Sequence, residues 1–260
     1  MWRCLQLLQN WDKYIFRFFI IWYVCGVVLL TFDLLPPWLE WANVVFLITV
    51  GFLGFIFFIK NYKITGLLFS LFVFFFSILA EHIGVKYGFL FGNYYYNADF
   101  GPQLIGVPIT IGFAWVMVIA TSFVIAKRIV KANSIWLVSF IGSLAAVVMD
   151  LIIDPVSYVA KSYWVWVDTG VYYNIPTFNF ISWFGLSFFF LFLFQLFAKE
   201  YPTNNYWEKN MYKLYALMIL MFIIIAISAK LWIAVVVTTI PATLLLILAY
   251  SKRSLQHDSR

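Results

Sequence analysis

Ile135-Trp136-Leu137-Val138-Ser139-Phe140-Ile141-Gly142-Ser143-Leu144-Ala145-Ala146-Val147-Val148-Met149-Asp150-Leu151-Ile152-Ile153-Asp154 carries no charge until Asp150. A helix crossing the ~30 Å hydrocarbon core of a bilayer needs about 20 predominantly apolar residues. No water reaches that depth, so the backbone of such a segment has to pair within itself, as a helix does. The stretch reads as a transmembrane helix, and the rest of the chain follows the same rule. Further apolar runs lie at Tyr14–Leu35, Trp41–Ile59, Ile64–Ala80, Leu104–Ala126, Phe178–Ala198, Leu214–Ala229 and Leu231–Tyr250. The predicted class is all-α, a polytopic integral membrane helix bundle of eight spans. It has seven if the last two, joined only around Lys230, do not both cross. The chain 1–260 is read as one membrane domain.

Composition agrees. Of 260 residues, 65% are hydrophobic and only 11% charged, against about 25% charged in globular domains. This excludes a soluble enzyme, a disordered chain and a nucleic-acid-binding domain. The formal charge of +6 is used for topology. With both termini cytoplasmic, Arg3, Lys13, Arg17, Lys60, Lys63, Lys127, Arg128, Lys131, Lys199, Lys209, Lys213, Lys252, Arg253 and Arg260 lie inside. Lys86, Lys161 and Lys230 lie outside. That asymmetry obeys the positive-inside rule and predicts a multi-pass cell-membrane protein. The basic residues sit in short loops rather than in one stripe, so no nucleic-acid partner is expected. The first apolar run ends without a small-residue cleavage site and reads as a retained span. Cys4 falls on the cytoplasmic side and Cys25 within the first span, so no disulfide or metal-thiolate site is expected.

Asp33, Glu40, Glu81, Asp99, Asp150, Asp154 and Asp168 fall on the outer side, and Asp12, Glu200, Glu208 and Asp258 inside. Asp33, Glu40 and Asp168 read as ordinary interfacial acids. Glu81 and His82 directly follow the apolar run ending at Ala80, and Asp150 and Asp154 lie one turn apart on a helix face. Ionisable groups at membrane depth are costly and are functional candidates by default. Glu81 and His82 are adjacent rather than spaced Glu-x-x-His, and the chain has two histidines, so no metal is expected.

The two long outer loops resemble one another. Each carries glycine and tyrosines, Gly92-Asn93-Tyr94-Tyr95-Tyr96 and Gly170-Val171-Tyr172-Tyr173, and then a proline seven residues before a tryptophan, Pro108/Trp115 and Pro176/Trp183. Glu81 stands 27 residues before Pro108, and Asp150 stands 26 before Pro176. A parallel helix–loop–helix repeat is predicted, with Glu81 facing Asp150 or Asp154 across one cavity at the repeat interface. An aromatic belt accounts for Trp38, Trp41, Trp207 and Trp232. The density of Tyr and Trp in the two outer loops exceeds that and suits an apolar ligand that becomes cationic.

Tyr87-Gly88-x-x-Phe91-Gly92-x-Tyr94-x-Tyr96, Gly101-Pro102 and Gly106-Val107-Pro108 resemble the carotenoid 1,2-hydratase family of integral membrane proteins. So do Asp150-x-x-x-Asp154-Pro155, Tyr163-Trp164-x-Trp166 and Gly170-x-Tyr172-Tyr173-x-Ile175-Pro176-x-x-Asn179-x-x-x-Trp183. The resemblance is specific over the site-bearing core, 81–183. Lys161-Ser162 stands where a small residue is expected before Tyr163. The resemblance implies a hydro-lyase of carotenoid biosynthesis. Its partners would be an acyclic, lycopene-like carotenoid, water, membrane lipid and other carotenoid biosynthesis enzymes, and it would need no cofactor.

Hydration of a terminal isopropylidene group requires a proton donor, a wall that stabilises a tertiary carbocation, and a positioned water. An Asp open to water is ionised at neutral pH and donates nothing, whereas two carboxyls one turn apart can share a proton. Resemblance and residues together assign Asp150 as general acid and Asp154 as its proton-holding partner. Glu81 with His82 would orient water and take its proton. Tyr94, Tyr96, Trp164, Trp166 and Tyr172 would flank the cation, with Tyr173 and Trp183 also on the substrate, and Asn179 would hydrogen-bond the water. A membrane carotenoid cyclase using the same acids, a multi-span transporter and a structural protein remain alternatives.

Overall fold

The computed structural model describes residues 2–97, 101–130, 134–198 and 204–257, with side chains from 11 to 251 within them. Asp99, Lys131, Lys199, Glu200, Asp258 and Arg260 lie outside the described residues, as do the side chains of Arg3, Cys4, Lys252 and Arg253. The elements in chain order are α1 (Trp2–Thr31), α2 (Trp41–Tyr87), β1 (Tyr94–Tyr96), β2 (Gln103–Leu104), β3 (Val107–Pro108), α3 (Ile109–Ile129) and α4 (Ile135–Pro155). They continue with β4 (Trp164–Trp166), α5 (Thr177–Phe197), α6 (Asn205–Ser228) and α7 (Trp232–His257). Among the described residues, seven helices are long and apolar enough to cross a membrane. The protein is an all-α polytopic bundle, and its strands are only short loop pieces.

Helix α2 accounts for two of the predicted spans. It reverses at Lys63, whose backbone takes φ 53° and ψ −129°. A straight helix would hold Phe58 and Phe69 about 16 Å apart, yet their rings lie 5.0 Å apart. Phe52 and Phe74 likewise both pack on Phe113, at 5.4 and 4.9 Å. The limbs 41–62 and 64–87 are therefore antiparallel, so the seven helices hold eight apolar segments of about spanning length. The predicted tight connection at Lys230 also forms. Lys230 takes φ 59°, while Leu231 N–H bonds the Ala226 carbonyl at 2.8 Å and Lys230 N–H bonds that of Ile227 at 3.0 Å. That is the paired hydrogen bonding of a Schellman motif.

At the centre stands α3, where every residue from Trp115 to Ala126 is buried. Its small residues, among them Gly112, Ala120, Ser122 and Ala126, let neighbouring helices come close, as membrane helix interfaces require. The first limb of α2 contributes Gly51 to the same contact: a Cβ there would stand 2.7 Å from Phe113 Cα. Helices α1, α5 and α7 bury few of their residues inside the bundle, as lipid-facing helices do.

The predicted repeat has a counterpart in backbone geometry. The second limb of α2, loop 88–108 and α3 form one unit, and α4, loop 156–176 and α5 form the other. Before α3 the chain makes a tight turn through Ile105 (φ 51°) and Gly106 (φ 82°), pairing Leu104 with Val107. Before α5 it makes the same turn through Tyr173 (φ 51°) and Asn174 (φ 61°), pairing Tyr172 with Ile175. Pro108 and Pro176 then lead into helices with φ −59° in both cases. The β2–β3 turn explains why α3 begins at Ile109 rather than at Leu104, as the hydropathy suggests.

Strands β1 and β4 tie the two loops together. They run antiparallel, with Tyr94 opposite Trp166, Tyr95 opposite Val165 and Tyr96 opposite Trp164. Side chains alternate between the faces of a strand, so Tyr94, Tyr96, Trp164 and Trp166 share one face. At the ribbon's end Asp168 accepts from the Asn93 backbone N–H at 2.7 Å and from its side-chain amide at 2.9 Å.

Candidate active site

The acids are brought to one place by the last turns of two helices. Asp150 and Asp154 sit on the final turns of α4, and Glu81 on the second limb of α2; their exposures are 2%, 1% and 6%. Helix α4 ends in a way that fixes the pair. Pro155 has no N–H, so the Leu151 carbonyl four residues earlier loses its helical partner. Tyr172 Oη donates to that carbonyl at 2.6 Å. Beyond Pro155 the helix widens into a π turn, Val156–Ala160, a distortion frequent at functional sites.

Each carboxylate has its own set of donors. Asp154 Oδ1 accepts from the indole N–H groups of Trp164 at 2.8 Å and Trp166 at 3.2 Å. Its Oδ2 accepts from Asn179 Nδ2 at 2.8 Å, and the same amide donates to Asp150 Oδ2 at 3.0 Å. Asn179 thus bridges the pair. Glu81 Oε1 accepts from Trp115 Nε1 at 3.0 Å, and its Oε2 accepts from Tyr96 Oη at 2.9 Å and from Tyr94 Oη. Burial, together with the neighbouring Glu81 carboxylate, holds the Tyr94 and Tyr96 phenols well above their ordinary pKa. Both stay protonated and serve as donors.

The ribbon supplies donors to both sides, tyrosines from β1 to Glu81 and tryptophans from β4 to Asp154. Its rings also pack together, Tyr94 against Trp166 at 4.8 Å and Tyr96 against Trp164 at 6.1 Å. Beneath them the equivalent tryptophans of the repeat, Trp115 and Trp183, stack at 4.2 Å with planes 20° apart. These groups line part of a cavity with about 1050 Å³ of empty space, some of it open to the surroundings. The remaining wall is largely apolar and includes Leu30, Phe46, Met218, Met221, Phe222 and Ile225.

Of the residues singled out from sequence, Glu81, Asp150, Asp154, Tyr94, Tyr96, Trp164, Trp166, Asn179 and Trp183 line this cavity. Three do not. His82 Nδ1 lies 2.6 Å from the Ile105 carbonyl, where it braces the β2–β3 turn. Adjacent residues on a helix point about 100° apart, so Glu81 facing inward turns His82 away. Tyr172 is engaged with Leu151, and Tyr173 Oη accepts from the Ala234 backbone N–H at 3.3 Å, which docks α7. Trp115 is the donor that the sequence reading left out of the site, although its place in the repeat, matching Trp183, was a usable signal. The methionines of α6 carried none, because apolar residues facing a cavity and facing lipid look alike in sequence. Among the described residues, no three His, Cys, Asp or Glu side chains are grouped to hold a metal ion.

Tyr172 offers a direct check on this division between scaffold and site. Tyr172→Phe leaves the Leu151 carbonyl unpaired, which costs about 1–3 kcal/mol. The purified protein should melt at lower temperature in detergent while turnover falls only a few-fold. Loss of turnover at unchanged melting temperature would give Tyr172 a direct role instead.

The chemistry available is proton transfer inside an aromatic-walled pocket: a carboxyl pair sharing one amide donor, and a third carboxylate held by three donors. No curated protein and no solved structure matches the chain. The family described as carotenoid biosynthesis protein matches residues 42–246, an interval that contains every one of these groups. The chain belongs to the carotenoid biosynthesis protein family.

Proposed function

We propose that the protein is a carotenoid hydratase, a hydro-lyase that adds water to the terminal double bond of an acyclic, lycopene-like carotenoid. The observation that carries this is the pair Asp150 and Asp154, bridged by Asn179 on the wall of a largely apolar cavity. Asp154 accepts from three donors across its two oxygens, whereas among the described residues Asp150 accepts from Asn179 on one oxygen. That leaves the second oxygen of Asp150 as the place for a transferable proton.

In the first step Asp150 protonates the less substituted carbon of the alkene, and the π electrons form the new C–H bond. The tertiary carbocation left behind is flanked by the faces of Tyr94, Tyr96, Trp164 and Trp166, which attract cations. Water then bonds to the cationic carbon and gives up a proton to Glu81, yielding a tertiary alcohol. Return of that proton to Asp150 closes the cycle, so the net change is addition of one water. Asp154 and Asn179 hold Asp150 in position throughout. The excess of basic residues in the opposite loops supports an outward-facing site with cytoplasmic termini in the cell membrane.

The aromatic wall also suits a membrane cyclase, in which the same cation closes a ring and loses a proton. Product mass separates the two. Expression in a lycopene-producing host should yield a carotenoid heavier by one water, with a hydroxyl that can be silylated. An isomeric ring product of unchanged mass would replace the hydratase reading with the cyclase.

A further inference from the structure

Hydration in a cavity walled by hydrocarbon leaves a question of supply, since water and carotenoid have to reach the same carbon. Apart from the carboxyl groups and their donors, polar side chains on the cavity wall are concentrated on one side. They are Asn43, Ser157, Lys161 and Tyr163, between the α1–α2 connection and the π turn that follows Asp154. Asn43 Nδ2 donates to Tyr163 Oη at 3.0 Å and to Glu40 Oε2 at 2.8 Å. Tyr163 is anchored by its backbone N–H to the Ser157 carbonyl at 2.9 Å. Lys161 Nζ reaches Asp33 at 3.1 Å, and the Asp33 side chain is 92% exposed. A polar file thus runs from groups open to the exterior, past Asn43 and Tyr163, into the cavity one turn beyond Asp154. The side formed by Met218, Met221 and Phe222 offers nothing that would hydrate.

We propose that Asn43 and Tyr163 form a water gate, admitting the nucleophile along this polar file while the carotenoid occupies the apolar side formed by α1 and α6. The proposal rests on the hydratase reading. The hydrogen bond between the two side chains sets the width of the opening, and the file ends beside the dyad that makes the cation. Small nucleophiles are therefore selected at the gate. A larger alcohol is excluded because Tyr163 fills the space it would need.

Methanol competition tests this. Methanol captures the same cation by forming its O–C bond and losing its hydroxyl proton to Glu81, so the product is a methyl ether distinguishable by mass. A fitted pocket discriminates one carbon by roughly 10–200-fold. In membranes supplied with lycopene and a fixed methanol fraction, Tyr163→Ala should raise the ether-to-alcohol ratio about tenfold over wild type. Asn43→Ala should raise it in the same direction. Phe222→Ala, on the apolar side, should leave it unchanged. Because the ratio is internal to each sample, a lower amount of folded protein does not alter it. An unchanged ratio in both gate variants, or an equal rise in Phe222→Ala, overturns the gate and leaves the hydratase reading standing. Wild-type protein that forms neither alcohol nor ether overturns the hydratase reading itself, and the gate falls with it.

Discussion

Asp150→Asn should abolish hydroxylated product, lowering it by about 10³-fold, the range expected when a positioned general acid is removed. The replacement is nearly isosteric, and its amide oxygen can still accept from Asn179, which donates to Asp150 Oδ2 at 3.0 Å. Helix α4 keeps its Tyr172 brace, and the cavity keeps its shape. What disappears is the transferable proton. The measurement is hydroxylated carotenoid by mass, normalised to protein in the membrane fraction. Wild-type product from normally accumulated Asp150→Asn protein would remove Asp150 from the role of acid.

The second large effect is expected at Glu81. Its two oxygens accept from three donors, Trp115, Tyr94 and Tyr96. In Glu81→Gln the new amide can keep its oxygen toward Trp115 and place its NH2 toward the tyrosines, whose hydroxyls rotate to accept. The fold therefore survives. The group that takes the proton from water is gone, and product should fall by about 10²–10⁴-fold. Unlike the Asp150 variant, this one still protonates the alkene. In deuterated water, cation that water does not capture returns to alkene by losing a proton to the Asp150 carboxylate, so unreacted carotenoid recovered from Glu81→Gln should carry deuterium near its end groups, whereas that from Asp150→Asn should not. The reverse labelling pattern would exchange the two assignments.

Much of this architecture was legible because a bilayer imposes few options. Apolar runs of spanning length marked the helices, including both limbs of α2, where Lys60, Asn61 and Lys63 interrupt the apolar sequence without a glycine or proline. The acids and Asn179 stood out because polar groups at membrane depth have to be accounted for. The repeat was visible in the Pro-to-Trp spacing, and the matching turns and the stacked Trp115 and Trp183 are its physical form. His82 could have been set aside from helix geometry alone, as the neighbour of an inward-facing residue. Tyr172 could not, because its partner is a carbonyl orphaned by Pro155 and brought near only by the fold. The β1–β4 ribbon was equally hidden, since three residues on each strand are too short for a periodic signal.

That ribbon has a consequence for how the loops can vary. Tyr94, Tyr96, Trp164 and Trp166 face the acids only in the observed pairing, and a one-residue slip sends every side chain of a strand to the opposite face. Tyr95 or Val165, whichever strand slips, would then point at the carboxylates, and two of the donors would be withdrawn at once. The pairing works as an index between the two halves of the molecule. Single-residue insertions or deletions inside 94–96 or 164–166 should be intolerable, whereas length changes beyond the anchored neighbours Asn93, Tyr163 and Asp168 leave the pairing intact. Loop length in chains that share this site is therefore expected to differ only outside the six paired positions.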